Sequence, residues 1–116
     1  MTTIKLSDFT KEAASKTKGL ELKLKLGDAL KNGLDITVDF HGITRFASPF
    51  FNNSFSALAI EYGFEAIQDI TLVDLSPVGK ETFDTSLQNA QIIANKPEYA
   101  EQISAIVNSI VPEGAE

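Results

Sequence analysis

Hydrophobic and polar positions alternate along Ile36-Thr37-Val38-Asp39-Phe40, a period of two that predicts a short strand. The apolar run Ile70–Leu75 predicts a second strand, and Thr3–Leu6 a third at the N-terminus. From Pro49 to about Tyr62 the period changes to that of a helix. Phe51, Phe55, Leu58, Ala59 and Tyr62 share one face, and Gly63 supplies the stop. Strand, helix and parallel strand in that order make a βαβ unit, which crosses over right-handed. Ser76-Pro77 opens a further helix with Phe83, Leu87, Ala90 and Ala94 on one side. After Lys96-Pro97, the stripe Tyr99, Ile103, Ile106, Val107 and Ile110 predicts a last amphipathic helix. Residues 112–116 are expected to fray.

The segment 20–26 carries two conflicting signals. Leu20-Glu21-Leu22-Lys23-Leu24-Lys25-Leu26 alternates like a strand. Leucine, lysine and glutamate are nevertheless strong helix formers, and no β-branched residue occurs between Leu20 and Leu34. Leu22, Leu26, Ala29 and Leu30 also share a helical face, and Asn32-Gly33 is a natural C-terminal stop. The balance favours a helix from about Ser15 to Lys31. A strand followed by a helix starting near Gly27 is the competing arrangement.

Length and composition bound the function. A chain of 116 residues with 43% hydrophobic and 22% charged content predicts one globular domain over residues 1–116. No apolar run has the length of a membrane span, and MTTIKLSDF lacks a basic start followed by an apolar stretch, so a cytoplasmic location is expected. Without cysteine there is no disulfide, thiolate zinc site or cysteine nucleophile. The net charge of −6 is uneven: residues 1–31 hold an excess of lysine, while the rest is strongly acidic. That acidic majority argues against nucleic acid as a partner. The basic first third suits an acidic protein or the acidic face of a second copy, which permits a homodimer.

The chemistry-bearing residues cluster around Ser48. Ser48-Pro49 reads as an N-cap followed by proline at the first helical position. A hydroxyl beside unpaired backbone N–H groups is a seat for an anion, or for a phosphate on the serine itself. Arg45, the sole arginine, stands three residues upstream, where it can pair with such a phosphate or with a nearby acid. His41, the sole histidine, lacks the companions of a metal site and suits a turn. Phe50, Asn53, Ala57 and Ile60 form a second strip on the helix, either covered by another helix or left as an interaction surface. Asp39 and Asp74 fall late in the two strands, where parallel sheets commonly host ligands. As an acid/base pair they lack a nucleophile motif beside them. No cofactor or metal is implied.

The stretch VDFHGITRFASPFF resembles the STAS-like domains, a bacterial and phage group related to anti-sigma factor antagonists. Asp39-Phe40, Gly42, Ile43, Ser48-Pro49 and Phe51 carry the likeness, which extends over roughly residues 34–93. It implies a small α/β STAS-like domain, with a mixed sheet of three to four strands covered by about four helices. In the antagonist branch a partner kinase phosphorylates a serine at this helix start, which switches off binding; by register that serine is Ser48. The sequence departs from that branch at Ala47 and Pro49-Phe50, and from the STAS-like group at Asn53. The expected function is therefore non-enzymatic: a regulatory interaction module facing a protein partner, such as a nucleotide-binding kinase-like protein. His41, Arg45, Phe50, Asn53, Ala57 and Ile60 are its expected contacts, and Ser48 its switch. The alternatives are a domain holding a phosphate-bearing metabolite or nucleotide at Ser48, a hydrolase using Asp39 and Asp74, or a phage-type inhibitor of a host system.

Overall fold

Alternation along β2 (Ile36–Asp39) buries Ile36 and Val38 and leaves Thr37 and Asp39 half-buried, which makes it the central strand of a three-stranded sheet. The computed structural model describes residues 2–94. β1 (Thr2–Lys5) and β3 (Thr71–Val73) pair with the two edges of β2, both in parallel. The expected class, a small α/β domain, holds, and within it all three strands run the same way. Ile4, Val38 and Leu72 are opposite one another and face the core. The other face carries Thr3, Thr37 and Thr71 in one cross-strand row, with Lys5, Asp39 and Val73 in the next.

Helical propensity prevails over alternation in the leucine-lysine segment. α1 (Lys16–Lys31) is one continuous helix, and Ser15 Oγ accepts from the Lys18 N–H at 3.1 Å as its N-cap. It buries Gly19, Leu22, Leu26 and Ala29, the helical stripe, and leaves Leu24 exposed.

The helix predicted from Pro49 to Tyr62 is two helices, α2 (Ser48–Asn52) and α3 (Phe55–Tyr62). The break has a local cause. Asn53 Nδ2 donates to the Pro49 carbonyl at 2.7 Å, and Ser54 Oγ donates to the Phe50 carbonyl at 2.8 Å. The Ser54 hydroxyl thus takes the carbonyl that its own N–H would have used in a continuing helix, and that N–H bonds the Phe51 carbonyl instead at 3.2 Å, while Asn53 N–H still reaches the Pro49 carbonyl at 3.2 Å. Gly63, at φ 103°, then turns the chain into α4 (Phe64–Gln68), a short helix that the sequence reading left out. α5 (Pro77–Ala94) packs on α2 and α3. Its Ser86 hydroxyl lies 2.7 Å from that of Ser56, a buried polar link between α3 and α5. The last predicted helix, around Tyr99–Ile110, and the expected fraying at 112–116 lie outside the described residues.

The core is dominated by phenylalanine. Phe40, Phe50, Phe51 and Phe55 are fully buried, and Phe51 contacts Phe40, Phe46, Phe50, Phe55 and Phe83 at ring separations of 5.3–6.4 Å.

α1 reaches this core only because Gly19 has no side chain. A Cβ there would lie 2.5 Å from the Phe50 carbonyl oxygen and 3.2 Å from Asn53 Cβ. At Gly27 a Cβ would meet nothing nearer than Leu58 Cδ2 at 3.7 Å. Although alanine is the better helix former, Gly19→Ala is expected to cost about 1–3 kcal/mol through overpacking. Gly27→Ala is expected to gain about 0.5–1 kcal/mol. Urea denaturation of the two variants checks the contrast.

Candidate functional site

The carboxyl ends of β2 and β3 converge on one loop. Phe40 N–H donates to the Val73 carbonyl at 3.0 Å, and Ile43 N–H to the Phe40 carbonyl at 2.9 Å. The turn between them places Gly42 at φ 83°, the positive value that the third residue of a type II turn requires. His41 is thereby lifted clear of the sheet.

The two aspartates weighed as an acid/base pair do different work here. Asp39 Oδ1 accepts the His41 backbone N–H at 2.8 Å, fixing the turn. Asp74 Oδ2 lies 3.5 Å from His41 Nδ1, with both side chains largely exposed. Such a contact adds little stability in water. Asp74 also has φ 56°, the left-handed region that a non-glycine residue seldom occupies and that aspartate tolerates best. The backbone strain of this end therefore sits directly against the histidine.

Beyond the turn, residues 43–47 are held by the N-terminal segment. Ala13 N–H donates to the Arg45 carbonyl at 2.9 Å, and Ala47 N–H to the Ala13 carbonyl at 3.0 Å, a parallel bridge between Ala13 and Phe46. The Arg45 guanidinium extends outward to Glu12, 3.6 Å away. Glu12 and Asp74 thus join His41, Arg45 and Ser48 on this end of the molecule. Sequence pattern alone carried no signal for Glu12, whose position depends on the Ala13 bridge.

Ser48 is exposed at the start of α2, but it is not the cap. The residue before the helix is Ala47, and no side-chain bond closes this end. The tie from Ala47 to Ala13 already determines how the chain enters the helix, so the hydroxyl is left out of it. The second Ser-Pro start behaves as the sequence suggests: Ser76 Oγ accepts the Gly79 N–H at 3.2 Å. α2 also has five residues instead of the continuous run expected, so fewer peptide dipoles align behind any anion at Ser48.

The strip proposed as a contact surface is largely internal. Phe50 is 0% exposed, Asn53 3% and Ala57 5%, and Ile60 is half-buried. α1 covers the first two, brought to contact distance at Gly19. Phe50, Asn53 and Ala57 are therefore packing residues, while His41, Arg45 and Ser48 are exposed and Ile60 is half-buried.

Among the described residues no group of three or more His, Asp or Glu side chains could hold a metal ion, and no helix is long and apolar enough to cross a membrane.

A family model described as a STAS-like domain of unknown function matches residues 19–80. That span runs from the Gly19 contact in α1 to the first turn of α5 and contains the whole loop. No curated protein and no solved structure matched the chain.

The capping contrast gives a direct check. Ser48→Ala is expected to change stability by less than about 0.5 kcal/mol, and Ser76→Ala to cost about 1 kcal/mol. Thermal melts of the two variants beside wild type measure both.

Proposed function

The chain belongs to the STAS-like domain family, and on that premise we propose that it is a regulatory protein–protein interaction module presenting the His41–Ser48 loop to a protein partner. One observation carries this reading. An exposed polar loop, with His41, Arg45 and Ser48 in solvent, is pinned at one end by Phe40 and Asp39 and at the other by the Ala13 bridge. Loops held in one conformation on a rigid scaffold lose little entropy on binding, which favours recognition.

The chemistry of the loop points to an acidic partner surface. Arg45 offers a planar fork suited to a carboxylate or phosphate, and its bond to Glu12 is exposed enough to exchange. The partner class that fits the resemblance is a nucleotide-binding kinase-like protein, with Ser48 as the group it modifies. Support comes from exposure: the Ser48 hydroxyl makes no capping bond that a phosphate would have to break. A phosphate there would add about −1.5 to −2 charge three residues from Arg45 and repel an acidic partner surface.

Arg45→Glu and Ser48→Glu are expected to melt within a few degrees of wild type, because both side chains lie outside the core. Each is expected to weaken capture of the partner from source-cell lysate by about tenfold or more, equal to about 1.4 kcal/mol of binding energy. With ATP present, the intact mass of wild type should show a phosphate that Ser48→Ala lacks. If both glutamate variants hold every partner of the wild type, the loop is not the contact surface.

A further inference from the structure

Of the asparagines in the chain, only Asn32 is followed by glycine. The pair ends α1 and begins the exposed stretch 32–35 that leads into β2. We propose that Asn32-Gly33 is a deamidation site held shut by the last turn of α1, and that its conversion to a carboxylate loosens the junction between α1 and β2 in one direction.

The chemistry needs only water and hydroxide. The Gly33 amide nitrogen, having given its proton to hydroxide, attacks Cγ of Asn32. The bond from Cγ to the side-chain nitrogen breaks, ammonia leaves, and a succinimide ring joins the side chain to the backbone. Water then opens the ring. Attack at Cγ leaves aspartate, and attack at the main-chain carbonyl carbon leaves isoaspartate, in which the backbone runs through the former side chain. Glycine favours the first step because no Cβ shields its nitrogen.

In the fold both reacting groups are engaged elsewhere. Gly33 N–H donates to the Leu30 carbonyl at 3.1 Å and Leu34 N–H to the Ala29 carbonyl at 3.2 Å. These are the paired bonds of a Schellman end, with Gly33 in the left-handed region at φ 66°. Asn32 Nδ2 donates to the Asp28 carbonyl at 3.0 Å, which draws the side chain back over the last turn. The nitrogen keeps its proton and the amide its place until that turn opens, so opening sets the rate of conversion.

The product does not restore what the amide held. A carboxylate cannot donate to the Asp28 carbonyl. It also stands at the negative end of α1, four residues from Asp28 and three from Asp35. Isoaspartate further lengthens the main chain beside Asp35, whose carbonyl accepts the Thr2 N–H at 2.7 Å where β1 joins β2. Each conversion therefore makes reclosure of the turn less favourable, and the departed ammonia leaves no way back.

Peptide mapping of the full chain, incubated at mildly alkaline pH in buffer and in urea, tests the site and its gate together. The readout is the mass rise of an amide becoming a carboxyl, followed at Asn32 and at every other asparagine. In urea Asn32 is expected to convert fastest of them all. In buffer the same residue is expected to convert about tenfold more slowly or less. Asn32→Asp is expected to melt a few degrees below Asn32→Ala, which lacks the same hydrogen bond but carries no charge. Equal rates in buffer and urea would overturn the gate, and conversion led by another asparagine would overturn the site. An Asn32→Asp melt at or above that of Asn32→Ala would overturn the loosening.

Discussion

Phe51 touches rings from four separate parts of the molecule: Phe40 at the end of β2, Phe46 in the loop, Phe55 in α3 and Phe83 in α5. Removing a ring of this kind from a core costs about 3–5 kcal/mol, a large part of the ~5–15 kcal/mol that holds a domain together. The rest of the architecture follows from keeping that ring enclosed. α1 closes it on one side through the Gly19 contact with Phe50, the neighbour of Phe51. Phe51 and Phe55, one before the break at Asn53-Ser54 and one after, both meet Phe83 edge-to-face. The loop of the candidate site is anchored by the same cluster, because Phe40 and Phe46 bracket it in sequence.

Much of this was legible along the chain, and the failures have identifiable causes. α1 was readable because its apolar face persists at helical spacing even while leucine and lysine alternate. β2, β3 and the intervening helical region were readable from their periods. The α2–α3 break was hidden because Phe51, Phe55 and Leu58 keep helical spacing across it, while at the break the Ser54 hydroxyl takes the Phe50 carbonyl and the Ser54 N–H turns to Phe51. The strip Phe50-Asn53-Ala57 was read as a contact surface, because nothing in its own residues said that a glycine on another helix would bring the cover. Ser48 and Ser76 are identical as dipeptide starts, yet the residue before Ser48 is tied to Ala13 and Ser48 makes no cap, whereas Ser76 caps its helix. Glu12 and the left-handed backbone of Asp74 depend on tertiary placement in the same way.

The two ends of the sheet carry different burdens. At the carboxyl end, a strained aspartate, a turn glycine and an exposed histidine occupy a few consecutive contacts, and backbone bonds rather than packing hold them in place. That combination can present polar groups without exposing the aromatic cluster beneath. The threonine row on the sheet face away from the core is consistent with solvent there, since threonine suits a pleated surface without adding an apolar patch.

Thr2 lies opposite Ile36 and Thr37 opposite Thr71, 34 positions apart in both cases. A sheet wired this way has no hairpin to nucleate it. Each ladder forms only after a whole crossover has been drawn in, so the chain must close one large loop for each pair of strands before a backbone bond can form between them. Helices α1 and α5 can form locally, but they gain a lasting partner only as the phenylalanines meet. Because the strands pair in the order in which they follow one another, a ribosome-bound chain can complete its first ladder only once β2 has emerged, and its second only once β3 has followed.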